Sequence, residues 1–313
     1  MAKRRLLAIL CLLCLLPCRA LAVSTADASQ PIDPAASCTL TIRYAYDQVT
    51  FSELPVQLYQ VARVSADFRY TLTEDFAPTG LELNGIETTG EWDVIRSTLE
   101  AHIVGSATTP AETAPTDAAG QAVFADLQPG LYFAVVPPVI RAEGTYLFHT
   151  ALVAVPGLDP EGNWQYQVAV NAKAQFLPPV EPEETIEYKV LKLWKGDKNI
   201  NQRPKSVQVE IFCNGESRET VTLSEETQWA YSWQAKDDGS VWKVVERNIP
   251  ENYTVTVEDR QTTFVLTNTY EDPDNPKPPE TGDTTNVMLY IVLMSISGIA
   301  LILLGIAGKK KRL

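Results

Sequence analysis

The chain has 313 residues, 45% of them apolar, enough for two ordinary domains with packed cores plus targeting segments. A formal charge of -13 argues against nucleic acid as a partner. Three of the five cysteines (Cys11, Cys14, Cys18) crowd the N-terminus and leave only Cys38 and Cys213, which excludes a disulfide scaffold. Two histidines, His102 and His149, are too few for most metal sites and leave no His-based nucleophile constellation. Neither an enzyme nor a cofactor is expected.

Residues 1–22 read as a secretory signal peptide. Lys3-Arg4-Arg5 is a positive start, Leu6 to Leu16 an apolar run too short to span a bilayer comfortably, and Ala20-Leu21-Ala22 offers small residues for cleavage before Val23. Residues 23–37 are small and polar, a disordered leader. Residues 38–176 read mostly as strands, with period-two alternation in Thr39-Leu40-Thr41-Ile42, Val56-Gln57-Leu58-Tyr59 and Trp164 to Val170. Trp92, Ile95, Leu99 and Ile103 recur three to four residues apart and predict one helix. Thr108 to Pro115 reads as a loop, and Thr116 to Gly120 as a turn feeding a strand over Gln121 to Leu127.

Between Val23 and Glu187 there is a single lysine, Lys173. Alternation puts Trp164, Tyr166, Val168 and Val170 on a buried face and Gln165, Gln167, Asn171 and Lys173 on a wet one. An exposed amine at a strand end suits a bimolecular acyl acceptor; the plain alternative is a solvated surface lysine. Trp164, Val168, Val170 and Lys173 match in spacing the pilin motif of sortase-assembled pili, with Asn171-Ala172 in place of its Tyr-Pro. The stretch from Thr116 through Gly120, Phe124 and Leu127 to Gly130-Leu131-Tyr132 also resembles the hairpin of pilin N-terminal domains. The resemblance implies that the Lys173 amine attacks an acyl-sortase carrying another subunit. The first strand, Leu40 to Tyr46, carries Arg43 and no lysine, so no internal cross-link is expected in this domain.

Residues 177–185 are a stiff Pro-rich linker. Residues 186–270 read as seven or so short strands, the pattern of a β-sandwich. Three of those strands turn a polar residue inward. Lys192 shares a face with Val190 and Trp194, Glu246 with Trp242 and Val244, and Asn268 with Phe264, Leu266 and Tyr270. Burying such groups is costly unless they meet one another. Desolvation lowers a lysine pKa and raises a glutamate pKa, so a neutral Lys192 amine can attack the Asn268 side-chain carbonyl while Glu246 shuttles protons to leaving ammonia. The bland alternative is a buried ion pair beside a hydrogen-bonding Asn. Val190-x-Lys192-x-Trp194, Arg203-Pro204-x-Ser206-Val207-x-Val209, Val244-Val245-Glu246 and Leu266-Thr267-Asn268-Thr269 resemble the Cna B-type immunoglobulin-like domain. That resemblance implies a self-formed isopeptide bond between Lys192 and Asn268, with Glu246 as proton shuttle.

Residues 271–286 form a Pro-rich, acidic stalk. Within it, Pro278-Pro279-Glu280-Thr281-Gly282 precedes an apolar stretch, residues 287–308, of bilayer-crossing length and a basic tail, residues 309–313. The order of pentapeptide, span and basic stop resembles the cell-wall sorting signal of Gram-positive bacteria, Leu-Pro-x-Thr-Gly, with Pro278 in place of Leu. It implies sortase cleavage between Thr281 and Gly282 and transfer to a peptidoglycan precursor; the plain alternative is a single-span membrane protein. The expected fold is mainly β, two tandem immunoglobulin-like sandwiches with a short helix in the first, a signal peptide and a C-terminal transmembrane helix. The expected role is a structural, wall-anchored pilus subunit, basal or anchoring in type, whose partners are sortase and other pilins. A shaft subunit, or an adhesin with a host ligand, is the alternative.

Overall fold

The computed structural model describes residues 31–180, 185–196 and 203–272. Among them the N-terminal half forms β1 (Cys38–Arg43), β2 (Ala45–Tyr46), β3 (Val49–Thr50), β4 (Pro55–Val64), β5 (Tyr70–Leu72), helix α1 (Thr89–Ser106), β6 (Glu112–Pro115), β7 (Gln121–Leu127), β8 (Gly130–Val135), β9 (Val139–Arg141) and β10 (Gly144–Phe148). It continues through β11 (Ala151–Val155), β12 (Gly157–Leu158), β13 (Trp164–Gln165), β14 (Gln167–Asn171) and β15 (Ala174–Leu177). The C-terminal half forms β16 (Thr185–Lys195), β17 (Ser206–Cys213), β18 (Glu216–Ser224), β19 (Ala230–Lys236), β20 (Trp242–Glu246), β21 (Tyr253–Arg260) and β22 (Thr263–Tyr270).

In the N-terminal half a three-stranded sheet, β14-β1-β7, stacks on a sheet of order β11-β8-β4-β5, whose β4 also pairs with β6. Leu40 and Ile42 of β1 and Phe124 of β7 meet Val56 and Leu58 of β4 and Tyr132 of β8 in one core. Alternation explains this face: β1 buries Cys38, Leu40 and Ile42 and leaves the residues between them half-exposed. The opposite face of the larger sheet is covered too. Tyr59, Val61, Leu131 and Phe133 pack against Ile95 and Leu99 of α1 in a second core.

The start of helix α1 is fixed by a cap. Thr88 accepts a hydrogen bond from the Glu91 backbone N–H at 3.3 Å, and the Glu91 carboxylate accepts from the Thr88 N–H at 2.8 Å, a complete capping box. The expected helix is present and longer than its apolar marks, Trp92 to Ile103. Two expectations fail. The end of the expected disordered leader is ordered: Ile32 is buried and its N–H donates to Ala66 O at 3.1 Å, because an apolar side chain there finds a core to enter. Residues 108–115 are not all loop: Glu112–Pro115 form β6, paired antiparallel to β4 from Pro55↔Pro115 to Leu58↔Glu112. Three of the four β6 side chains are exposed, so this outer strand is held by backbone pairing and carries no apolar alternation to betray it.

The C-terminal half is a two-sheet sandwich of seven strands, β19-β16-β22-β21 facing β18-β17-β20. Its first and last strands, β16 and β22, lie side by side and parallel. Val190, Val209, Ile211, Leu223, Val244, Val255 and Leu266 fill the space between the sheets. The expected signal peptide (residues 1–22), sorting motif (278–282) and membrane-crossing stretch (287–308) lie outside the described residues. Among the described residues no helix is long and apolar enough to cross a membrane.

Candidate functional site

The parallel register of β16 and β22 sets Lys192 opposite Leu266 and Trp194 opposite Asn268. Lys192 and Asn268 are therefore offset by two residues along neighbouring strands and point to the same face. Glu246 reaches them from the opposite sheet, where it pairs with Val209 of β17. All three inward-facing polar residues read from the sequence come together. Lys192 is 4% exposed, and Glu246 and Asn268 are 0% exposed.

The Glu246 carboxylate bridges the other two. Its Oε2 lies 3.3 Å from Lys192 Nζ, and its Oε1 accepts a 2.7 Å hydrogen bond from Asn268 Nδ2. Lys192 Nζ also donates to the Leu193 carbonyl at 3.2 Å and sits 4.4 Å from the Trp194 ring centroid. Trp194 is boxed in turn by Trp229 and Tyr253, each edge-on with centroids 5.3 Å away. Burial pushes the Glu246 carboxyl above its ordinary value of 4.5; the Lys192 charge and the Asn268 hydrogen bond pull the other way and do not cancel it. Oε2 meets Nζ at ion-pair distance without hydrogen-bond alignment, and Asn268 Oδ1 has no hydrogen-bond partner.

The set has the parts of an acyl transfer. An amine is the nucleophile, a carboxamide carbon the electrophile, and the carboxyl between them touches both nitrogens. A half-turn of the Asn268 amide exchanges Nδ2 for Oδ1 against Oε1. A protonated Glu246 then donates to the carbonyl oxygen that must take up negative charge.

Lys173 stands in the opposite surroundings. It is exposed, in the two-residue break between β14 and β15. Its neighbours hold the break in place: Ala172 N–H donates to Arg43 O at 2.9 Å, and His149 N–H donates to Lys173 O at 2.9 Å. The strand does not simply end at Lys173, because the chain passes into another sheet, where Ala174 pairs with Phe148. The arginine of the first strand, Arg43, is exposed. Cys38 is buried, Cys213 half-buried, and both are free thiols.

Sequence reasoning missed a set of residues beside the buried trio. Helix α1 packs on β20 and β21 of the C-terminal sandwich as well as on its own sheet. Thr98 and Ala101 are 1% and 2% exposed, and Ala101 belongs to the core of the C-terminal half. The signal was there in small form. Ala101 and Gly105 stand four residues apart, away from the apolar marks Ile95, Leu99 and Ile103, and leave room for a second neighbour.

Residues 188–269 match the family described as the Cna protein B-type domain. This stretch is thus a Cna B-type domain, and the chain is mainly β with an immunoglobulin-like fold. Among solved structures, a single B repeat unit of the collagen-binding surface protein Cna of Staphylococcus aureus aligns at 14% identity, covering 75% of this chain and 98% of that one, with a TM-score of 0.26. The major pilin SpaD of Corynebacterium diphtheriae aligns at 16% identity over 76% of this chain and 65% of its own, TM-score 0.30. The minor pilin GBS52 of Streptococcus agalactiae aligns at 16% identity over 78% of this chain and 99% of its own, TM-score 0.23. No curated protein matches the chain.

Proposed function

We propose that this chain is a structural subunit of a surface pilus, wall-anchored by sortase through Thr281 and locked internally by an isopeptide bond between Lys192 and Asn268. The observation that carries the reading is the buried trio: an amine and a carboxamide bridged by one carboxyl whose ionisation burial opposes. In the reaction the neutral Lys192 Nζ attacks Asn268 Cγ. The Nζ–Cγ bond forms, the Cγ–Nδ2 bond breaks, and Glu246 carries the proton from Nζ to Nδ2, which leaves as ammonia. Atoms balance without an oxidant or cofactor.

The bond would tie the first strand of the sandwich to the last. By analogy with loop closure by a disulfide, it would stabilise the domain by about 4 kcal/mol. It would also carry tension along the chain covalently, which suits a fibre subunit. The exposed Lys173 amine, at a break held by backbone hydrogen bonds, is the acceptor proposed for the next subunit. Its imperfect motif and the variant Pro278 of the sorting pentapeptide favour a minor, basal or anchoring position, in which a shaft is accepted once. Intact mass tests the core of the proposal. The purified wild-type chain is expected to be lighter than its sequence by one ammonia, and Glu246→Ala to have its full sequence mass. A wild type at full sequence mass would remove the cross-link from the account.

A further inference from the structure

We propose that helix α1 of the N-terminal half is the seal on the cross-linking site, so that Lys192 couples to Asn268 efficiently only while the two halves are docked. The inference rests on the cross-linking reading above and adds a set of positioning residues to it. β20 and β21 are the outer strands of the two facing sheets on one side of the sandwich, and no ladder joins them. Glu246 ends β20, and Asn268 pairs across from Val255 of β21. The seam between these strands is therefore the route by which water would reach the trio.

Helix α1 closes that route with contacts that bracket the trio. Ala101 enters the core beside Val244 and Val255, with Val104 packed against the same cluster. Thr98 Oγ1 accepts a 3.2 Å hydrogen bond from Val255 N–H, an outer-strand donor on the residue paired with Asn268. Glu100 meets Lys243 of β20 at 2.9 Å. Gly105 lies against the carbonyl of Arg247, the residue after Glu246, so closely that any Cβ there would overlap the oxygen and carbonyl carbon. Only glycine permits this approach. Arg247 is in turn fixed by its N–H on Gln208 O at 2.9 Å.

The seal matters because the reactive pair is the uncharged one. Water in the seam would favour ammonium and carboxylate, and an ammonium cannot attack. The test uses the full chain, made by cell-free synthesis and followed by intact mass over time and pH. Gly105→Leu, which cannot dock, is expected to lose ammonia about tenfold more slowly at neutral pH, because a wetted Glu246 is less protonated there. Its rate profile should move toward acid, where a wetted Glu246 is still protonated. Thr98→Val, which keeps the shape but removes the acceptor, should shift the profile in the same direction to a smaller extent, and Thr98→Ser should restore it. Should Gly105→Leu not fold by circular dichroism, the Thr98 pair decides. A wild-type rate and profile in both Gly105→Leu and Thr98→Val would overturn the seal while leaving the cross-link standing. A wild-type chain that never loses ammonia overturns the cross-link itself, and the seal with it.

Discussion

Glu246 stands between two nitrogens, and in the proposed reaction these have opposite needs: Lys192 Nζ must lose protons and Asn268 Nδ2 must gain one. Its burial raises its pKa, which has a consequence for stability wherever the bond cannot form. In Asn268→Ala the contribution of a raised carboxyl is fully present below the ordinary value of 4.5 and is lost as pH rises through the raised folded value. The urea midpoint of Asn268→Ala is therefore expected to fall across that window relative to Asn268→Ala/Glu246→Gln. Parallel pH curves for the two variants would contradict a shifted Glu246. The inward placement of these residues was readable from alternation, since Tyr188, Val190 and Lys192 of β16 are buried while Lys189 between them and Leu193 after them are exposed. That Glu246 lies between the other two was not readable, because the offset across two sheets depends on register and packing.

Among the elements, α1 serves two cores at once. It offers Ile95 and Leu99 to its own sheet and Thr98 and Ala101 to the sandwich beyond. Its start depends on the Thr88–Glu91 capping box, and the Thr88 hydroxyl and backbone hold the Glu91 carboxyl below its ordinary range. Thr88→Ala is expected to destabilise the chain by about 1 kcal/mol, read as a lowered urea midpoint with unchanged slope. An unchanged midpoint would mean that tertiary contacts alone hold the first turn. The helix itself was legible from its three-to-four spacing. Its second face was not, because small residues such as Ala101 and Gly105 are equally at home facing water. The strand β6 escaped notice for a related reason, since backbone pairing leaves no mark on exposed side chains.

At the scale of the whole molecule the two amines divide the proposed labour. Lys192 is enclosed between sheets, and Lys173 is presented to water at a junction of two strands. On the proposed reading, Lys173→Ala is expected to abolish high-mass covalent products with pilus subunits in wall extracts while leaving the proposed internal loss of ammonia unchanged. A persistent ladder would reassign the acceptor and favour an adhesin over a pilus subunit. The helix that bridges the halves links the enclosed site to the N-terminal domain, so the cross-link would report that both have folded and docked.

Alternation, helical spacing and the order of motifs along the chain were enough to expect a β-rich fold, a helix in its first half and the two contrasting environments of Lys192 and Lys173. These are local properties: each follows from which way neighbouring side chains point along one strand or turn. The bridging position of Glu246 and the docking of α1 over the β20–β21 seam were decided only by tertiary structure. They join residues far apart in sequence, such as Thr98 with Val255 and Gly105 with Arg247, and pairing at that distance is set by how whole faces fit together.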